Sequence, residues 1–368
     1  MYNFGVFFRK VSICFLFCSL LMPAVFSLAP SAECAILIDA DSGKCIYAKN
    51  ADKKHGMAST TKIMTAILAI ENGVLDAEFP IPSAAVGIEG SSLYLQEGER
   101  MSLRDLLYGL MLRSANDAAT AIAINISGST EVFADLMNQK AKELGLSNTH
   151  FTNPHGLADD AHYTTARDLA LLSAYALKNE TFREICQTKK ASLPGNRLVV
   201  NHNKLLFTYT GACGVKTGFT KATGRCLVSA AEQDGVRLIA VTLHASNDWN
   251  DHAAMLDHGF AEYESVTLAQ KGAVLCPVSL MGGTVDTVEA VIGETLTVSL
   301  PKNRGSIVER VELPQPRFAP IYAGDLLGRV VYLVDGTEIA TAPLYAKDYV
   351  LPLQKESTWL DKIKNIFK

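Results

Sequence analysis

Three short groups of residues in this chain have the types and spacing that acyl transfer needs. In Ser59-Thr60-Thr61-Lys62 a hydroxyl and an amine stand three positions apart, which puts both on one face of a helix. A serine hydroxyl becomes a useful nucleophile when a neighbouring base takes its proton. A lysine serves as that base only in its neutral form, which takes burial or a nearby positive charge. Ser114-Ala115-Asn116 adds a second hydroxyl and an amide, and Lys216-Thr217-Gly218 adds another amine and hydroxyl beside a residue with no side chain.

Taken singly, each group has an ordinary explanation: an N-cap with a solvated helix lysine, a capped helix break, a lysine on a turn. Their occurrence together, in this order, points to catalysis. Ser59 reads as the nucleophile and Lys62 as its base. At a helix start the Ser59 N–H has no intrahelical partner and lies at the positive end of the dipole, so it suits one oxyanion donor. Ser114 would relay a proton between Lys62 and a leaving amine, and Asn116 would hold the lysine or a substrate amide. Lys216 and Thr217 would grip a substrate carboxylate, with Lys216 also supplying positive charge near Lys62. Gly218 lets a ligand backbone come close, and the N–H of Phe219 would be the second oxyanion donor.

The elements that must position these groups follow from the apolar pattern. Residues 35–39 and 44–48 flank Asp41-Ser42-Gly43 and predict a β-hairpin. A helix is expected from Ser59 to Asn72, with Ile63, Met64, Ile67 and Leu68 on one face and Gly73 at its end. Residues 102–126 read as two helical stretches meeting at Ser114, and 131–144, 165–178 and 248–263 as further helices. Strands are expected at 211–217, 226–231 and 237–244. After Val266 short β-like runs alternate with turns, at 288–292, 296–300, 307–313 and 330–333.

The ends differ from the middle. Arg9 and Lys10 precede an apolar run from Val11 to Leu21, then Pro23 and small residues, as in a signal peptide cut after Ser27 or Ala32. The run is shorter than the ~20 residues of a spanning helix. At the other end Trp359, Leu360, Ile363, Ile366 and Phe367 form an apolar stripe accompanied by Lys362, Lys364 and Lys368. That pattern suits a helix lying in a membrane surface, or one docking on its own protein. The chain thus divides into a signal peptide (1–32), a catalytic domain (33–266), a β-rich accessory domain (267–350) and an amphipathic anchor helix (351–368).

The 368 residues and 48% apolar content allow a sizeable core, and a net charge of −4 gives no sign of a nucleic-acid partner. Two of the eight cysteines fall in the leader. The other six match no zinc spacing and read as buried small hydrophobes or as disulfides of unassigned pairing. His150, His155 and His162 lie in a loop-like region without a metal-ligand pattern, so neither metal nor cofactor is expected.

The three groups resemble the S-x-x-K, S-D-N and K-T-G elements of the penicillin-recognising serine enzymes. Within that group the chain is similar to the D-alanyl-D-alanine carboxypeptidases, the low-molecular-weight penicillin-binding proteins of peptidase family S11. The likeness extends to Ala35-Ile-Leu-Ile-Asp-Ala-Asp-Ser-Gly43, Met57-Ala-Ser-Thr-Thr-Lys-Ile-Met-Thr65, Thr149-His-Phe-Thr-Asn-Pro-His-Gly-Leu157 and Gly214-Val-Lys-Thr-Gly-Phe-Thr220, and covers about 34–265. The resemblance implies an α/β (α+β) transpeptidase-type fold, a five-stranded antiparallel sheet with helices and a helical lobe, followed by a small all-β domain. It implies cleavage of the last D-alanine from peptidoglycan stem peptides through an acyl-enzyme on Ser59, outside the cytoplasmic membrane, with a part in wall synthesis and cell shape. β-Lactams would acylate the same serine. Phe219 departs from members that carry histidine there. A class A β-lactamase would have Asp in place of Ala115 and a glutamate in a recognisable deacylation context, and this chain has neither. A non-catalytic sensing or wall-binding protein would not need the Ser59–Lys62 pair.

Overall fold

Along Cys34–Asp39 (β1) side chains alternate between two apolar environments, and this decides the architecture. Ile36 and Ile38 join one buried cluster with the helices, while Ala35 and Leu37 join another with Leu238, Ala240, Met255 and Leu256. A strand that is apolar on both faces belongs inside a covered sheet. In the computed structural model, which describes residues 28–314 and 316–354, β1 is indeed interior. It sits between Cys45–Lys49 (β2) and Val236–Ala245, with Ala212–Thr220 (β3) and Gly224–Gln233 (β4) completing the sheet. With Val236–Ala245 as β5, the order is β2-β1-β5-β4-β3, antiparallel throughout. Of the residues read as leader (1–32) and anchor helix (351–368), 1–27 and 355–368 fall outside the described residues; Ser31 donates to Asp251 (2.9 and 2.6 Å), and Pro352 forms a β-bridge with Gly283.

Six helices cover one face: Lys62–Asn72 (α1), Leu103–Tyr108 (α2), Asn116–Ser127 (α3), Thr130–Glu143 (α4), Ala166–Ala176 (α5) and Glu180–Gln187 (α6). Ser102, Ser129, Thr165 and Asn179 cap four of them, each accepting a backbone N–H from three residues on. Such a cap contributes about 1 kcal/mol. Asp248–Glu262 (α7) covers the other face. Its backbone approaches so closely that a Cβ on Gly259 would lie 2.4 Å from Leu238 Cδ1 and 3.0 Å from Leu37 Cδ2. Beneath α7, His252 is sealed between Ser229 Oγ (2.5 Å) and Thr242 Oγ1 (2.9 Å), and burial pushes its pKa down to about 3.

Two expected helices are built differently. The stretch from Ser59 begins as a 3₁₀ turn, Ala58–Thr61, and becomes α-helical only at Lys62. The Thr60 hydroxyl donates back to Met57 O (2.6 Å) and the Thr61 hydroxyl to Ala58 O (2.8 Å), which tightens the turn. The stretch at 102–126 divides into α2, a π-turn (Gly109–Arg113) and α3, with the break at Ser114 as expected. Helix α6 and two short strand pairs, Glu78–Pro80 with Arg100–Ser102 and Lys190–Leu193 with Arg197–Val200, were not legible as separate elements.

From Tyr263 the chain is all β. Tyr263–Ala269 (β6) pairs with Leu296–Pro301 (β9). Val274–Met281 (β7), Thr287–Ile292 (β8), Ile307–Glu312 (β10), Arg317–Phe318 (β11), Leu326–Val334 (β12) and Thr337–Ala346 (β13) form one sheet in the order β10-β12-β13-β8-β7-β11. Its core, around Val278, Val330, Tyr332 and Leu344, shares no buried residue with the two clusters around the first sheet.

Candidate active site

Lys62 opens α1 with its side chain wholly buried, and its Nζ reaches three oxygens. These are Asn116 Oδ1 (2.6 Å), the backbone carbonyl of His155 (2.6 Å) and Ser59 Oγ (3.1 Å). The first two can only accept. A neutral amine has two N–H bonds and one lone pair, so giving both N–H bonds to these carbonyl oxygens leaves the lone pair aimed at the serine hydroxyl. The neutral form is favoured here: burial holds the pKa well below that of a free lysine, the charge of Lys216 lowers it further, and Asp117 opposes both. Of the two causes the sequence left open, burial is the larger and the charge of Lys216 the smaller.

The first two residues of α3 hold this arrangement in place. Asn116 Nδ2 donates to Glu89 O (2.5 Å), which turns its Oδ1 towards Lys62, and its own N–H donates to Ser91 O (2.7 Å). The buried carboxylate of Asp117 accepts from Ser92 Oγ (2.6 Å) and from the N–H groups of Leu93 (3.0 Å), Leu95 (3.2 Å) and Ala118 (2.9 Å). The loop at 89–95 is thereby tied to the helix that carries Asn116.

Ser114 ends the π-turn in the left-handed region (φ 63°), which turns the chain between α2 and α3. Its Oγ accepts from Lys216 Nζ (3.0 Å), which also donates to Thr217 O (2.9 Å). Among the described residues Ser114 hydrogen-bonds Lys216 and not Lys62, so the site holds two serine–lysine pairs. Lys216 is as buried as Lys62, and burial brings its pKa down to about 7, with a small opposing effect from Cys186.

The turn carrying Ser59 is held from below. Ala58 takes φ 46°, a conformation that costs a residue with a Cβ about 1–2 kcal/mol. His162 secures the Thr61–Ala58 link. Its Nδ1 accepts the Thr152 N–H (3.0 Å), so its Nε2 carries the proton and donates to Thr61 Oγ1 (2.7 Å). Burial keeps His162 neutral, with a pKa of about 4. Burial and then the charge of Lys62 bring His155 to about 3. From above, β3 presses on the turn: a Cβ on Gly218 would stand 3.1 Å from Met57 O, Ser59 N and Thr60 N. The absence of a side chain at this position lets strand and nucleophile meet.

Ser59, Ser114, Thr217, Gly218 and Phe219 line one cleft of about 600 Å³. All eight residues singled out from the sequence therefore converge: five line the cleft, while Lys62, Asn116 and Lys216 lie buried behind it. Sequence reasoning missed four contributors. The carbonyls of His155 and Glu89 act through backbone atoms that any residue would supply. Asp117 stands beside the second motif without being part of it. Arg225, paired across the strands with Phe219, brings a guanidinium to the cleft and an ion pair with Asp248 (3.6 Å).

Comparison with known proteins shows the family. Residues 24–247 match the D-alanyl-D-alanine carboxypeptidase family (peptidase family S11), and residues 263–350 match the penicillin-binding protein 5 C-terminal domain. The chain is 35% identical over 335 residues to the D-alanyl-D-alanine carboxypeptidase DacF of Bacillus subtilis, covering 87% of this chain and 86% of that one. It is 33% identical over 342 residues to DacC of Escherichia coli, covering 88% and 85%. The solved structure of penicillin-binding protein 5 from Haemophilus influenzae superposes with a TM-score of 0.74 at 29% identity, covering 89% of this chain and 99% of that one.

Proposed function

The chain belongs to the D-alanyl-D-alanine carboxypeptidase (S11) family and is a serine-type carboxypeptidase, and from that premise we propose that it works through an acyl-enzyme on Ser59. Ser59 Oγ attacks the carbonyl of the penultimate D-alanine while its proton passes to Lys62 Nζ. The N–H groups of Ser59 and Phe219 hold the oxyanion; loss of one such donor typically slows turnover about 100–1,000-fold. Lys216 and Thr217 bind the terminal carboxylate, whose charge draws Lys216 into its ammonium form. Ser114, held by Lys216, gives its hydroxyl proton to the leaving amine and takes a replacement from the Lys62 ammonium, which restores the neutral base for the water step, and Asn116 fixes Lys62. The last D-alanine departs, and water then hydrolyses the ester on Ser59.

The observation that carries this reading is the set of three oxygens around Lys62 Nζ, two of which only accept. On the same reading β-lactams acylate Ser59. The substrate is a peptidoglycan stem peptide, with a consequent role in wall synthesis and cell shape. We place the enzyme outside the cytoplasmic membrane: residues 1–32 act as a cleaved signal peptide, 33–266 as the catalytic domain, 267–350 as the accessory domain and 351–368 as a surface anchor. The test is D-alanine release from a peptide ending in D-Ala-D-Ala, by mature protein lacking the terminal helix, beside Ser59→Ala. Release by the wild type that vanishes in the variant is expected. A folded wild type that releases nothing would overturn the reading in favour of a binding or sensing protein.

A further inference from the structure

Away from the cleft, three segments distant in sequence bring ligand-type side chains together. Glu33 stands just before β1, His55 just before the nucleophile's turn, and His244 near the end of β5. One carboxylate oxygen and one ring nitrogen from each histidine lie within 4.8 Å of one another. The backbone fixes this meeting: Glu33 N–H donates to His244 O (3.1 Å), and His55 exchanges N–H···O bonds with Thr164 (2.8 and 2.9 Å).

The ring chemistry is specific. His55 Nδ1 lies 2.8 Å from Gly56 O, a group that can only accept, so Nδ1 carries the proton and the Nε2 lone pair is free. Nε2 lies 3.9 Å from Glu33 Oε2, while Glu33 Oε1 accepts from the exposed Lys53 ammonium (2.5 Å). An imidazole whose second N–H is held by a backbone carbonyl is the usual arrangement of a metal ligand. His244 adds a further sign. It sits in the left-handed region at φ 55°, strained for a residue with a side chain, and its ring stands edge-on to His55 at 5.6 Å. The strained backbone sets its imidazole against the other two ligand groups.

We propose that Glu33, His55 and His244 bind a divalent transition metal of the zinc type through two imidazole nitrogens and one carboxylate oxygen, with a fourth position open to water. Nitrogen-rich donor sets suit zinc and its neighbours, whereas calcium and magnesium want oxygen ligands. Tetrahedral zinc places its donors about 3.3 Å apart, so the Glu33–His55 gap closes with side-chain movement of less than about 1 Å. None of the three residues lines the catalytic cleft. The ion ties the start of β1 and the end of β5 to the segment that leads into Ser59, a stabilising role outside the chemistry.

Metal-stripped full-length mature protein titrated with zinc chloride by calorimetry tests this. A single equivalent should bind with micromolar or tighter affinity and raise the thermal midpoint, and D-alanine release should survive the stripping. His244→Gly suits the left-handed backbone and keeps the fold, and His55→Gln removes the other imidazole; each should weaken zinc at least tenfold. Cobalt(II) in place of zinc should give visible absorption bands in the wild type that both variants lack. Absence of saturable zinc binding, or binding that survives both substitutions, would overturn the proposal.

Discussion

Two buried lysines face one cleft from different electrostatic positions, and each leads to its own experiment. Lys62 needs a lone pair, which arginine does not have at any working pH. Lys62→Arg should slow penicillin acylation about 100–10,000-fold, the range that general bases contribute. An unchanged acylation rate would remove Lys62 as the base. Lys216 makes itself felt through stability. Its folded pKa of about 7 lies below the unfolded lysine value, so between the two the unfolded chain binds more protons and stability rises with pH, by up to about 1.4 kcal/mol per unit. Lys216→Met lacks this slope. Relative to wild type it should be most stable at or below pH 7 and should lose that advantage towards pH 10, as read from urea midpoints. A difference that does not vary with pH would contradict a buried, largely desolvated amine. At this scale the convergence of Ser59, Lys62 and Lys216 was most readable, because the hydroxyl and amines that meet there belong to particular residue types. The carbonyls of His155 and Glu89 were not readable, since every residue carries one.

Elements decide whether those atoms meet. The 3₁₀ turn at Ala58–Thr61 and the edge of β3 touch at Gly218 with no room for a methyl group. Gly218→Ala should push the strand from the turn by a few tenths of an ångström. Because misplacement of about 1 Å in a site can lower rates ~100-fold, D-alanine release should fall at least tenfold, with little change in the thermal midpoint. Wild-type turnover in the variant would show that the contact is incidental. The alternation in β1 and the helical face of α1 were legible because burial on a known period writes itself into residue type. The tight turn was not, because the back-donating hydroxyls of Thr60 and Thr61 look the same in a sequence whether the turn is 3₁₀ or α. The pair Glu78–Pro80 with Arg100–Ser102 is too short to show a period at all.

At the scale of the whole molecule, the part that carries the cleft and the β-rich part have separate buried cores. Deleting 357–368 should release the protein from membrane fractions and leave kcat and KM for D-alanine release unchanged. Unchanged partitioning would sink the anchor. The pairing order of the β-rich sheet was not legible, because its strands join neighbours far apart in sequence. The sealed imidazoles of His155, His162 and His252 carry a last consequence. Each has a folded pKa of about 3–4, so the unfolded chain takes up protons that the folded one refuses as pH falls below about 6.5. Acid therefore pulls the protein towards unfolding at three interior points at once. The acid limit on stability thus rests partly on these interior rings, whereas the acid limit on turnover rests on Lys62, which must stay neutral.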